Sequence, residues 1–133
     1  MKIALFFTYG YSLKTWFDSG TLQKELSYYV ELNREFGYKF KIFTYGDSSD
    51  LKIEINKAIF EVVPIYQSSK KINNKFINYL YSFSIPFKIK NELGDVLLIK
   101  QNQLQGSWVT IILKFLTKKP LFTRTGYDVF KFS

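Results

Sequence analysis

The run Lys2-Ile-Ala-Leu-Phe-Phe-Thr8 decides how the rest of the chain is read. Its apolarity is continuous, not alternating, and its length is that of a strand. A strand with apolar side chains on both sides must be covered on both faces, which is the situation of a parallel sheet flanked by helices. Working outward, Tyr9 to Ser19 reads as a long aromatic loop. Ser19 reads as the N-cap of a helix from Gly20 to Phe36, with Leu22, Leu26, Tyr29, Val30 and Phe36 as its stripe and Gly37 as its terminator.

Lys39 to Tyr45 is the second strand, and the alternation in its first half predicts a less buried position. Gly46 to Asp50 is turn-rich, and Ala58 to Val63 forms a third strand that Pro64 stops. Ile72, Phe76, Leu80, Phe83 and Phe87 recur with helical spacing, and Pro86 should kink or divide that helix. Gly94 and Asp95 end it. Val96 to Ile99 is a second doubly buried strand, followed by a polar loop from Lys100 to Gly106. Ser107 to Thr117 is apolar nearly all round, which predicts a helix covered on both sides. Pro120 follows it, and Leu121 to Thr123 is the last strand.

The resulting order, β-α-β-β-α-β-α-β, predicts an α/β, Rossmann-like doubly wound and mostly parallel sheet with helices on both faces. The first, fourth and fifth strands should lie side by side, with the second and third beyond the first. Three loops then gather at the carboxyl edge, where ligands bind in such sheets: Tyr9 to Ser19, Lys100 to Gly106, and Arg124 to Asp128.

Composition narrows the chemistry. A chain of 133 residues with 47% hydrophobic and 20% aromatic residues fits one well-filled domain. The sequence has no cysteine, which excludes disulfides and thiolate chemistry and fits a reducing compartment. It has no histidine, which removes the commonest general base and metal ligand, so neither a metal nor a cofactor is expected. No run reaches signal-peptide or transmembrane length, so the protein is expected in the cytoplasm. The net charge of +8 points to an anionic partner: nucleic acid, a phosphorylated ligand, or the acidic face of the inner membrane. The basic residues follow no nucleic-acid-binding pattern, so that partner is not expected. The segment from Ile72 to Lys90, with Lys75, Lys88 and Lys90 beside large aromatics, reads either as an acidic-bilayer contact or as plain core.

Neither G-x-G-x-x-G nor the P-loop pattern is present. Gly20 either admits an anion to a helix start or relieves helix–sheet packing. Asp18 reads as a cap residue, and the remaining carboxylates near the expected edge are Asp128 and Asp47.

Three stretches carry more specific information: SLKTWFDSGTLQKELSYYVEL (12–32), FKIFTYGD (40–47) and IKQNQLQGSWVTIILKFLTKKPLFTRTGYD (99–128). Together they resemble the amino-terminal domain of a GT-B glycosyltransferase of the large retaining family 4. The resemblance implies an acceptor-binding domain, with a sugar or lipid-linked acceptor. The nucleotide-sugar donor would be held by a carboxyl-terminal domain that this chain lacks, so the chain alone should be inactive. It implies roles in polysaccharide or glycolipid biosynthesis. It also implies acceptor contacts at Tyr11, Trp16, Gly20, Asn102, Gln103, Arg124 and Gly126, with Tyr127 or Asp128 standing where many members place a histidine against the sugar. A reading from a different class stays open beside it: a non-catalytic Rossmann-like module that binds a phosphorylated ligand or a partner protein.

Overall fold

β1 (Lys2–Phe6) is the central strand of the sheet, with β2 (Lys39–Thr44) on one side and β4 (Leu98–Gln101) on the other, both parallel to it. The computed structural model describes residues 2–20, 22–68, 73–101, 107–125 and 128–132, leaving aside the side chains at 25, 68, 123–125 and 128–132. β3 (Phe60–Pro64) continues the sheet beyond β2, and β5 (Leu121–Thr125) continues it beyond β4, again parallel. The five strands thus stand in the order β3-β2-β1-β4-β5, as the buried runs predict, and the chain is a Rossmann-like α/β fold.

Alternation along the strands sorts the core into two layers. Ile3, Leu5 and Phe7 of β1 and its extension join Phe40, Ile42 and Phe60 on one face, under Leu13, Leu22, Leu26 and Tyr29 of α1 (Leu13–Ser19) and α2 (Leu22–Phe36). Ala4, Phe6, Phe43 and Ile99 face the other way. They pack against Ile65 of α3 (Ile65–Ser68), Ile85 and Ile89 of α5 (Ile85–Ile89), and Val109 and Leu113 of α6 (Ser107–Thr117). Each of these fully buried large side chains contributes about 1.5–3 kcal/mol by leaving water, so two complete faces of apolar contact fix the strand order.

Several expectations are corrected. The stretch from Tyr9 to Ser19 is not only loop, because it contains α1, opened by Ser12: the Ser12 hydroxyl accepts from Thr15 N at 3.0 Å. Ser19 is the last residue of α1, not an N-cap. Gly20 closes α1 in the left-handed conformation at φ 78°, and a Cβ there would meet open space, so neither helix opening nor tight packing explains this glycine. β2 is buried throughout after its first residue, because Lys41 lies inside and finds acceptors there. Its ammonium donates to the Glu92 carbonyl at 2.7 Å and lies 3.1 Å from Glu92 Oε2, 3.4 Å from Asp95 and 3.7 Å from Glu61.

Pro64 belongs to β3, where an edge position makes its missing N–H harmless. The helix around Pro86 is divided as expected: α4 (Lys75–Tyr81) gives way to a 3-10 turn and then α5, with Pro86 in the first turn of α5. β4 starts later than predicted and takes in Lys100 and Gln101, whose polarity had suggested a loop. The apolar helix α6 is covered on one side only, since Phe115 is 71% exposed and Leu116 also faces outward. Finally, β5 runs to Thr125 and is followed by a sixth strand that the sequence pattern does not predict. This is β6 (Asp128–Phe132), which runs antiparallel to β5 with Thr125 opposite Asp128. Among the described residues no helix is long and apolar enough to cross a membrane.

Candidate functional site

The carboxyl ends of β1, β2 and β3 are tied together by their backbones before any side chain is considered. Tyr11 N donates to Thr8 O, Tyr45 N to Tyr11 O and Tyr66 N to Gly46 O, each at 3.0 Å. These bonds draw three loops around a cleft of about 350 Å³ whose walls include Ser12, Lys14, Tyr45, Asp47, Ser49 and Tyr66. Gly10, at φ 87°, turns the chain out of β1 toward α1 on the rim of the same cleft.

Asp50 holds the cleft's shape. The side chain is 1% exposed, and its two oxygens accept from Leu13 N and Lys14 N at 3.1 Å and from the Thr44 hydroxyl at 2.6 Å. A helix of seven residues without acidic residues in its first turn has little stability of its own, and the Asp50 carboxylate supplies the missing anion at its free amides. Any Cβ at position 46 would run into this carboxylate and stand 2.9 Å from Ser12 Cβ, which accounts for Gly46.

At the mouth, Asp47 accepts from Ser49 N at 2.9 Å and from the Ser49 hydroxyl at 2.6 Å. Those two bonds hold its carboxyl below the ordinary range, the side-chain bond contributing most. A carboxylate of lowered basicity is a hydrogen-bond acceptor near neutral pH and a weak proton abstractor.

The back of the cleft is aromatic. Tyr9 meets Tyr45 edge-on at 5.1 Å, and Tyr45 meets Tyr66 at 6.4 Å. Asn78 of α4 donates its amide to both Tyr9 Oη and Tyr66 Oη at 3.1 Å. Burial raises the Tyr45 phenol above its ordinary pKa, and its hydroxyl has no hydrogen-bond partner among the described residues. Tyr45→Phe is therefore expected to leave stability unchanged or to raise it by up to about 1 kcal/mol, because a desolvated, unsatisfied hydroxyl is removed while the ring packing stays. A thermal melt that falls by several degrees would instead reveal a partner for that hydroxyl.

The residues expected from the sequence distribute as follows. Tyr11 is exposed at the rim, its carbonyl holding the end of β2. Trp16 is half-buried and stacks on Phe7 at 4.0 Å, so its ring is engaged with the core below α1. Gly20 lies at the far end of α1. Arg124 and Asp128 are described in backbone only and occupy neighbouring strands at the same end of the sheet. Asn102, Gln103, Gly126 and Tyr127 lie outside the described residues. Sequence reading missed Ser12, Lys14, Tyr45, Ser49, Asp50 and Tyr66 as cleft residues. The available signal was the polar run Gly46 to Asp50 directly after a buried strand, although its Gly, Asp and Ser content suits a plain turn equally well.

Comparison with known proteins found no matching family model, no matching curated protein and no matching solved structure.

Proposed function

We propose that this chain is the acceptor-side domain of a nucleotide-sugar-dependent retaining glycosyltransferase, and that the carboxyl-edge cleft takes a neutral sugar of the acceptor. The observation that carries the reading is the chemistry of the cleft on a Rossmann-like sheet. The Asp47 carboxylate, the Ser12 and Ser49 hydroxyls and the Tyr45 and Tyr66 rings on its wall match the hydroxyls and the apolar face of a sugar ring. In the same reading Arg124, Asn102 and Gln103 contact the acceptor, and Tyr127 or Asp128 takes the part of the histidine that many members place against the sugar. The donor itself is held by a second domain, so binding without turnover is the expected behaviour of these 133 residues.

The rival reading, a module for a phosphorylated ligand, is disfavoured by the same residues. Asp47 and Asp50 oppose Lys14, and the Asp50 carboxylate already occupies the amides at the start of α1 that would otherwise attract phosphate. The test is a titration of the chain with neutral oligosaccharides and, separately, with sugar phosphates, followed by calorimetry. Saturable binding of a neutral oligosaccharide, in the millimolar range or tighter, with sugar phosphates at least tenfold weaker, is expected. The reverse preference would replace this proposal with the phosphate-binding one.

A further inference from the structure

The helical segment α4–turn–α5 shows the wrong face to the core for an ordinary buried helix. Phe76, Leu80, Phe83 and Phe87, the very stripe that periodicity singles out, are 70%, 52%, 40% and 57% exposed, and Ile77 lies beside them in the open. The opposite stripe, Asn78, Ser82, Ile85 and Ile89, faces the protein. Asn78 binds Tyr9 and Tyr66, Ser82 accepts from the Trp108 indole at 2.9 Å, and Ile85 and Ile89 are fully buried. The outward orientation is thus fixed by specific bonds on the inner side. Sequence adds the charge: Gln67 through Lys90 contains Lys70, Lys71, Lys75, Lys88 and Lys90 and no acidic residue.

We propose that this face docks on an anionic lipid bilayer. Large aromatic and aliphatic side chains on one side of a short helical segment, flanked by lysines, are suited to the boundary between headgroups and acyl chains. Lysines add attraction to acidic lipids. The same charge argues against a second copy of the chain as occupant, because a two-fold pairing of this face would set Lys75, Lys88 and Lys90 against their own counterparts. Since Asn78 ties α4 to the tyrosines behind the cleft, a docked bilayer would lie next to the candidate site. The inference stands on exposure and charge and does not depend on the sugar reading.

The experiment is sedimentation of the 133-residue chain with vesicles of phosphatidylglycerol and phosphatidylcholine, and with phosphatidylcholine alone, neither of which carries a sugar acceptor. Binding to the anionic vesicles at least tenfold stronger than to the neutral ones is expected. Phe76→Ser with Phe87→Ser should weaken it by at least about tenfold, and Lys75→Glu with Lys88→Glu by roughly thirtyfold or more. All four side chains are exposed, so circular dichroism and the thermal melt of these variants should match the parent. Absence of binding, binding indifferent to lipid charge, or binding unchanged in both variants would overturn the proposal. So would a dimer in size exclusion that Phe76→Ser with Phe87→Ser dissolves, because the face would then be an interface between copies.

Discussion

Asp50→Ala is expected to destabilise the chain by about 4 kcal/mol, and this is the largest single effect foreseen for a substitution near the cleft. The variant removes a buried carboxylate and leaves Leu13 N, Lys14 N and the Thr44 hydroxyl without their acceptor. An unsatisfied buried donor costs about 1–3 kcal/mol, and bonds to a charged group lie at the upper end. Against a total stability of about 5–15 kcal/mol for a domain, the loss brings the fold close to its limit. Asp50→Asn keeps one acceptor oxygen and should lose about half as much. Gly46→Ala should follow in the same direction by about 2 kcal/mol, because its methyl group displaces a carboxylate that three bonds hold in place. Urea denaturation measures all three. A loss below about 1 kcal/mol for Asp50→Ala would mean that α1 stands without this contact.

The second large effect belongs to the opposite edge of the sheet. Lys41→Glu should cost more than about 4 kcal/mol, since it buries a fourth carboxylate beside Glu61, Glu92 and Asp95. Lys41→Met, which keeps the volume, should cost no more than about 1.5 kcal/mol, because the three partner carboxylates are each about half exposed and stay hydrated. The network also sets a pH window. The hydrogen bond from Lys2, with further help from the charges of Lys41 and Lys2, holds the Asp95 carboxyl below its ordinary value of 3.8. A depressed carboxyl contributes stability that is present above that value and is lost as pH falls through the lower folded one. Lys2 is raised above 10.5, chiefly by its hydrogen bond to Asp95, so its contribution is present below 10.5 and is lost at higher pH. Denaturation midpoints should accordingly be flat between these limits and fall on the acid side, and Lys41→Met should flatten the acid fall.

The strand order was legible because β1 is a continuous apolar run of strand length that is buried on both faces, the setting of a central strand in a parallel sheet. Elements stabilised from a distance were not legible. α1 is a marginal helix by itself, and its stabilising anion lies 36–37 residues away in sequence. Lys41 imitates the polar half of an alternating strand, and only the folded chain shows the carboxylates that let it stay inside. In α4 and α5 the sequence shows the helical period but leaves its direction open. Two stripes share one period, and the buried stripe is the one whose Asn78 and Ser82 find aromatic hydrogen-bond partners. β6 was hidden because Arg124 to Asp128 has the composition of a ligand loop, although Val129 to Phe132 already alternates enough to pair. The candidate cleft lies at the carboxyl edge of the sheet. The cleft, however, is built from the loops after β1, β2 and β3, and the expected loops were those after β1, β4 and β5.

The central claim is that a neutral sugar occupies this cleft, and amide chemical-shift mapping of the isotopically labelled chain tests it most directly. On titration with a neutral oligosaccharide that binds, the largest shifts are predicted at Ser12, Lys14, Tyr45, Gly46, Ser49 and Tyr66, with the signals at the Lys2–Lys41 edge unmoved. Shifts confined to other surfaces, or none at any concentration of neutral sugar while a sugar phosphate perturbs the cleft, would contradict it.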